Sequence, residues 1–440
     1  MGGHMIRTIL AAALMASAAL PAQAALSGAE AKMAATVDAE TGRSIGLLEK
    51  LVTTNSGTLN LEGVEKVGEM MRAELAPLGF DVQWLPMKEA GRAGHIVATH
   101  KGDGKGKRML VIGHLDTVFE PESPFQSFTR NGDIVTGPGV NDMKGGLVVI
   151  VSALRAMQAA GTLKKADIVV MLTGDEERPG SPLDKVRADL IAAGKWADAA
   201  LDFETLAREN GRDMGSIARR SASSWMLRTT GKPGHSSGIF SKNAGDGAIY
   251  EMARILAAFR TELPEPNLTF NVGLLAGGTT AGTDAKGVTA TASGKTNVIP
   301  GLAEARGDLR TLSDEQTERV RAKMLAIVAR HLPGTGAELT FAGDGYPPMA
   351  PTEGSRALLG QLNGVNRDLG LPEMAALDPL KRGAGDIGFV ARDVDGLVGL
   401  GMAGEGSHAP GETADLKSLT VQAKRAAILM TRLSRETRGR

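Results

Sequence analysis

From about residue 26 to residue 215, short apolar runs alternate with longer stretches whose apolar residues recur three and four positions apart. The runs at 107–113, 167–173 and 199–203 are bounded by Gly, Asp or Asn, as strands covered on both faces are. Between the first two, the spacing of Leu147, Ile150, Val151, Leu154 and Met157 predicts a helix over 143–160 with one apolar face. The implied architecture is α/β. In such sheets functional groups gather where strands give way to loops, and the ends of these runs carry His114, Asp116, Glu176, Glu177 and Glu204.

The pattern changes after the glycine-bearing stretch 210–215. Residues 221–230 alternate like a half-exposed strand, 246–263 and 313–331 read as helices, and 268–275, 302–309 and 338–343 read as strands. That is a small α+β unit of split βαβ type. From about residue 345 the alternation of helical stretches and short apolar runs resumes, and this segment carries the last histidine, His408. The predicted organisation is therefore a leader at 1–24, a first domain in two parts (25–215 and 346–440), and an insert at 216–345.

Composition narrows the chemistry. A chain of 440 residues is too long for one ordinary core, which suits two domains. Lys+Arg 50 balance Asp+Glu 50, and aromatics make up only 3%, so neither a phosphate-tracking face nor a base-stacking platform is indicated and nucleic acid is not an expected partner. Cys is 0, so any metal must be held by oxygen and nitrogen. The opening MGGHM reads as an expression remnant; Arg7, the apolar stretch 9–20 and Ala22-Gln23-Ala24 then read as a signal peptide cut after about Ala24. The expected location is periplasmic or secreted, with no membrane anchor left after cleavage.

Candidate chemistry sits in VIGHLDTV (111–118), GPGVNDMKGG (137–146), LTGDEERPGS (172–181), LDFE (201–204) and EGSHAPGE (405–412). Two divalent cations bridged by a shared carboxylate need about five protein ligands, and His114, Asp142, Glu177, Glu204 and His408 would make such a set. Each also has a plain structural reading. His114 can be a strand-end residue, Asp142 an N-cap, the acidic triplet at 175–177 a solvated loop, and His235 a surface-loop histidine. Asp202 rivals Glu204, because residues two apart on a strand face the same side.

The ordered set HLDTV, GVNDMKGG, GDEE, DFE and SHAPGE resembles metallopeptidase family M20 across nearly the whole chain after the leader. The resemblance implies a central mixed sheet interrupted by a ferredoxin-like lid that also serves dimerisation. It further implies two divalent ions, zinc being the expected metal. His114 and Glu204 would hold one, Glu177 and His408 the other, and Asp142 would bridge them. Asp116 would orient the His114 ring and Glu176 would act as general base. His235 would reach the active site of a neighbouring subunit, while Asn297, Arg310 and Arg382 would meet the substrate. The implied activity is hydrolysis of an amide bond beside a free carboxylate in a peptide or N-acyl amino acid, as in a carboxypeptidase that could release glutamate, including from folate-type acyl-glutamates. Deacylase and dipeptidase activities are alternatives. A non-catalytic periplasmic peptide- or metal-binding protein is a further one, whose mark would be a missing base or ligand; none is missing. Lys381 and Arg382 precede GAGD, whereas the glutamate-releasing members read GGGTD, so this loop is one residue shorter and lacks the threonine. His95, His100 and His331 match no motif and are expected to be structural.

Overall fold

A computed structural model describes residues 26–438 apart from Ala285; the expected leader lies outside this range. Six strands form one mixed sheet in the order Asp81–Pro86, Gly94–His100, Ile168–Thr173, Met109–His114, Ala199–Asp202, Gly396–Val398. The first three are joined antiparallel and the remaining pairs run parallel. Every residue of Met109–His114 and Ile168–Thr173 is buried. Their side chains divide between two cores with a period of two: Met109 and Val111 pack on one face, Leu110 and Ile112 on the other.

Helices cover both faces. Gly145–Ala159 and Leu416–Leu433 pack together with Gly28–Ala39 in the larger core. Gly28–Ala39 opens with a reciprocal cap in which Ser27 and Glu30 satisfy each other's backbone N–H. Ala188–Trp196 contributes Leu190 to the core on the opposite face.

The second sheet is antiparallel, in the order Thr269–Gly278, Leu302–Arg310, Ser223–Gly231, Thr335–Phe341. Helices Ala248–Glu262 and Asp314–Val328 close its own core, where Trp225 meets Phe259 edge-on. Each strand and helix expected between residues 221 and 343 is present within a few residues of its expected bounds. The chain thus completes five strands of the first sheet, builds the second, and returns to add Gly396–Val398 beside Ala199–Asp202. That return brings the segment bearing His408 back beside the first sheet.

Candidate active site

Each functional side chain is placed by the end of an element. His114 is the last residue of its strand. Its Nδ1 lies 3.0 Å from the backbone carbonyl oxygen of Asp116 and 3.4 Å from that residue's Oδ1, so the main chain is the nearer partner fixing the ring. The Asp116 carboxylate, fully buried, does something more. It accepts N–H bonds from Glu176 (3.0 Å) and Glu177 (3.1 Å) and an O–H bond from Thr58 (2.6 Å), so it anchors the acidic turn.

Asp142 sits in the turn 140–144, ahead of helix Gly145–Ala159. The N-cap of that helix is Lys144, and its side chain makes no cap bond; Asp142 is therefore not the cap. Its carboxylate faces the histidines, with Oδ1 3.2 Å from His114 Nε2 and Oδ2 3.1 Å from His408 Nε2. His408 Nε2 is also 3.1 Å from Glu177 Oε2. A Cβ on Gly146 would lie 2.1 Å from the Phe203 carbonyl oxygen, so only glycine lets the helix start press against the segment leading to Glu204.

Donor atoms therefore gather in two groups that share one residue: His114, Asp142 and Glu204, and Asp142, Glu177 and His408. Glu176 belongs to neither. Asp202 is also outside both. Its Oδ1 accepts from the Glu204 N–H at 3.2 Å and its nearest cation is Arg219, 3.9 Å away, so the geometry favours Glu204 over its rival. Two mutually adjoining sets of imidazole nitrogen and carboxylate oxygen suit hard or borderline divalent cations. Glu177 Oε1, buried and without a hydrogen-bond partner, is a donor atom left for such an ion.

Asp142, Glu176, Glu177, Glu204 and His408 line a cleft of about 470 Å³ with Arg219, Arg310, Tyr346, Arg382, Gly383 and Ser407. Arg310 donates to Asp308 at 3.0 Å. Arg382 spends donors on the chain itself, on Ser216 Oγ and the Thr205 carbonyl, and burial together with Arg219 pushes it down to about 10. His235 and Asn297 do not line this cleft. They lie side by side in the second sheet's unit, both exposed, where strand Gly234–His235 pairs with Val298–Ile299. The other described histidines make ordinary contacts. His95 Nδ1 accepts from the Gly174 N–H at 3.1 Å, which leaves the ring proton on Nε2 facing the Val186 carbonyl. His100 meets the Ala166 carbonyl and His331 meets Glu251.

Several site residues have supporting roles that the sequence does not reveal. Arg219, fully inside, holds Glu204 at 3.0 Å and donates to the Gly383 carbonyl at 2.8 Å. Glu412 accepts backbone N–H bonds from Gly139, Asn141 and Asp142 and so shapes the turn that presents Asp142. Buried Lys144, pushed down to about 7 by desolvation, ties that turn to the Thr54 carbonyl. Glu412 and Lys144 lie inside the motifs at 405–412 and 137–146, but nothing there marks their partners, and for Arg219 the one hint is the Arg219-Arg220 pair in an otherwise small and apolar stretch.

Without cations the site retains protons in their place. Burial raises Glu177 and Asp202 to about 7, Asp202 being pushed further by Glu204. Burial also raises Glu412 to about 7, and Asp142 and Glu177 push His408 up to about 11. Glu176 is raised well above 4.5 by burial and then by Glu204. For Asp142, burial is outweighed by its bonds to His114 and His408, which hold it low. The raised groups bind more protons folded than unfolded, so stability of the metal-stripped protein should fall as pH rises from about 5 to about 8. Asp142 and Asp116, whose values are lowered, lose their contribution only below their ordinary range and lie outside this window, while buried Lys144, held down at about 7, opposes the fall only at the window's upper end. Divalent cations displace those protons, so their stabilising effect should grow over the same range. Melting temperatures of chelated and reloaded protein across pH check this, and a chelated protein that gains stability toward pH 8 would contradict it.

Residues 110–432 match Peptidase family M20/M25/M40, a span running from the strand beneath His114 to beyond His408. The chain belongs to that family. It is accordingly a hydrolase of the M20 kind. Carboxypeptidase G2 of Pseudomonas sp. (strain RS-16) is 31% identical over 279 residues, which is 62% of this chain and 60% of that protein, so the chain spans less than two thirds of that relative's length. A succinyl-diaminopimelate desuccinylase of Leptothrix cholodnii is 26% identical over 303 residues, 66% of this chain and 74% of that protein. In fold, the chain is similar to a dinuclear metal binding peptidase of the M20 family from Bacillus subtilis, with a TM-score of 0.62 at 18% identity over 90% of this chain and 99% of that one.

Proposed function

We propose that this M20 hydrolase is a secreted di-zinc enzyme that cleaves an amide bond beside a free carboxylate, acting as a carboxypeptidase. The observation that carries the reading is the pair of ligand groups hinged on Asp142, with Glu176 beside them and in neither. His114 and Glu204 would hold one ion, Glu177 and His408 the other. Two cations so held supply Lewis acidity at the scissile carbonyl and lower the pKa of a water. Glu176, in the same cleft, takes a proton from the attacking water and returns it to the leaving amine nitrogen. Arg310, with its guanidinium free on the cleft side of its Asp308 bond, pairs with the substrate carboxylate. The Arg382 guanidinium, tied to Ser216 and Thr205, shapes the far wall.

The fit of zinc rests on the mixed imidazole and carboxylate donors in the absence of any cysteine. Export rests on the leader pattern; among the described residues no helix is long and apolar enough to cross a membrane. His235 and Asn297, adjacent and exposed away from their own cleft, fit a homodimer in which they complete the partner's site. Mixing inactive His235→Ala and Glu176→Ala proteins should then restore part of the activity.

A second reading is N-acyl amino acid deacylation, favoured by the desuccinylase likeness, which extends over more of both chains than the carboxypeptidase likeness does. Product profiling on a panel of blocked tripeptides, free dipeptides, N-acetyl and N-succinyl amino acids and acyl-glutamates, with and without chelator, separates the two. Chelator-sensitive release of C-terminal residues from blocked peptides supports the carboxypeptidase; turnover confined to N-acyl amino acids supports the deacylase.

A further inference from the structure

We propose that Tyr346 is a positioning residue for Glu176, gripping the base's own peptide unit from the ribbon that joins the two sheets. The chain crosses between the sheets twice, and the crossings pair with each other. Arg219 and Met349 exchange backbone hydrogen bonds at 3.0 and 2.9 Å, as do Ala222 and Tyr346 at 3.0 and 2.8 Å. From this ribbon the Tyr346 hydroxyl donates to the Glu176 carbonyl oxygen at 2.6 Å. The N–H of the same peptide unit, that of Glu177, donates to Asp116 at 3.1 Å. One peptide plane is thus held at both its polar ends, which fixes the direction in which the Glu176 side chain leaves the backbone.

The hydroxyl is itself held. It accepts from Arg187 Nη2 at 3.1 Å, and Arg187, wholly buried, donates to Asp175 at 2.6 Å and Asp386 at 2.8 Å. Asp175 closes the acidic turn by accepting the Gly180 N–H at 2.7 Å, and Asp386 takes the Thr173 hydroxyl at 2.5 Å. The Tyr346 ring is seated edge-on against Phe389, centroids 5.1 Å apart. Asp386 belongs to the GAGD loop, so this carboxylate is spent on the network behind Glu176, while Gly383 and Ala384 of the same loop face the cleft. A partly buried carbonyl deprived of its donor is costly to leave unpaired, and the turn would shift to repair it.

The inference rests on Glu176 being the base, and the test separates the two. Tyr346→Phe keeps the ring against Phe389 and removes only the hydroxyl. With the panel substrate hydrolysed fastest, kcat should fall roughly tenfold, the equivalent of one hydrogen bond, with KM within about twofold and bound metal unchanged. Added to Glu176→Gln, the substitution should have no further effect, since a residue acting through the base has nothing left to act on. Unchanged kcat, a rise in KM alone, a fall in bound metal, or an additive loss in the double variant would each overturn the proposal. Full turnover by Glu176→Gln alone would instead remove the base reading on which it stands.

Discussion

Glu176→Gln should abolish amide hydrolysis and leave the metal content intact. The substitution preserves size and hydrogen-bonding shape but removes the group that accepts a proton, so a loss of about 10²–10⁴-fold in kcat is expected from general-base chemistry alone. Its specificity comes from position. Glu176 stands beside both ligand groups and in neither, and its backbone N–H is pinned to Asp116. Glu177, the next residue, has a carboxylate oxygen 3.1 Å from His408 and shares a ligand group with Asp142. Glu177→Gln should therefore lower metal content as well as turnover. Kinetics paired with elemental analysis of both variants checks the division of roles, and metal loss in Glu176→Gln would reverse it.

Asp142→Asn should weaken both cation sites at once. Its two carboxylate oxygens face different histidines, Oδ1 at 3.2 Å from His114 and Oδ2 at 3.1 Å from His408, so one residue serves both groups. An amide has one acceptor and carries no charge, so neither ion keeps its shared anionic donor. Loss of even an outer-shell partner weakens metal binding about 10–100-fold, and loss of a shared ligand should do at least that at each position. Competition titration with a chromogenic chelator reads both affinities. His408→Ala, by comparison, should weaken one site and spare the other.

Much of this site is legible in the chain because it stands at the ends of strands whose every residue is buried. Such strands announce themselves as unbroken apolar runs, and the residue after the run is then marked, as His114 is after 109–113. The strands that give no clear signal are those that break this rule. Asp81–Pro86 mixes exposed and half-buried positions and ends in proline, Gly94–His100 carries a histidine near each end, and Gly396–Val398, though buried throughout, is only 3 residues long and too short to read as a run. The supporting residues are illegible for a different reason. Arg187 and Asp386 are 199 positions apart, and Glu412 and Asp142 are 270 apart, so no local spacing connects them. A buried arginine or glutamate looks in sequence like any surface charge until the fold supplies its partners. Asp116 belongs to the site, as its motif implies, yet its carboxylate chiefly anchors the Glu176–Glu177 turn, a role that its proximity to His114 in sequence hides.

The central claim is that Asp142 joins two cation sites into one catalytic centre. The most direct measurement is stepwise zinc titration of chelated protein, following bound metal and amide hydrolysis together. Two equivalents per chain, with activity restored as they bind and both sites weakened in Asp142→Asn, is the predicted result. A single equivalent at full activity, or full activity with none, would contradict it.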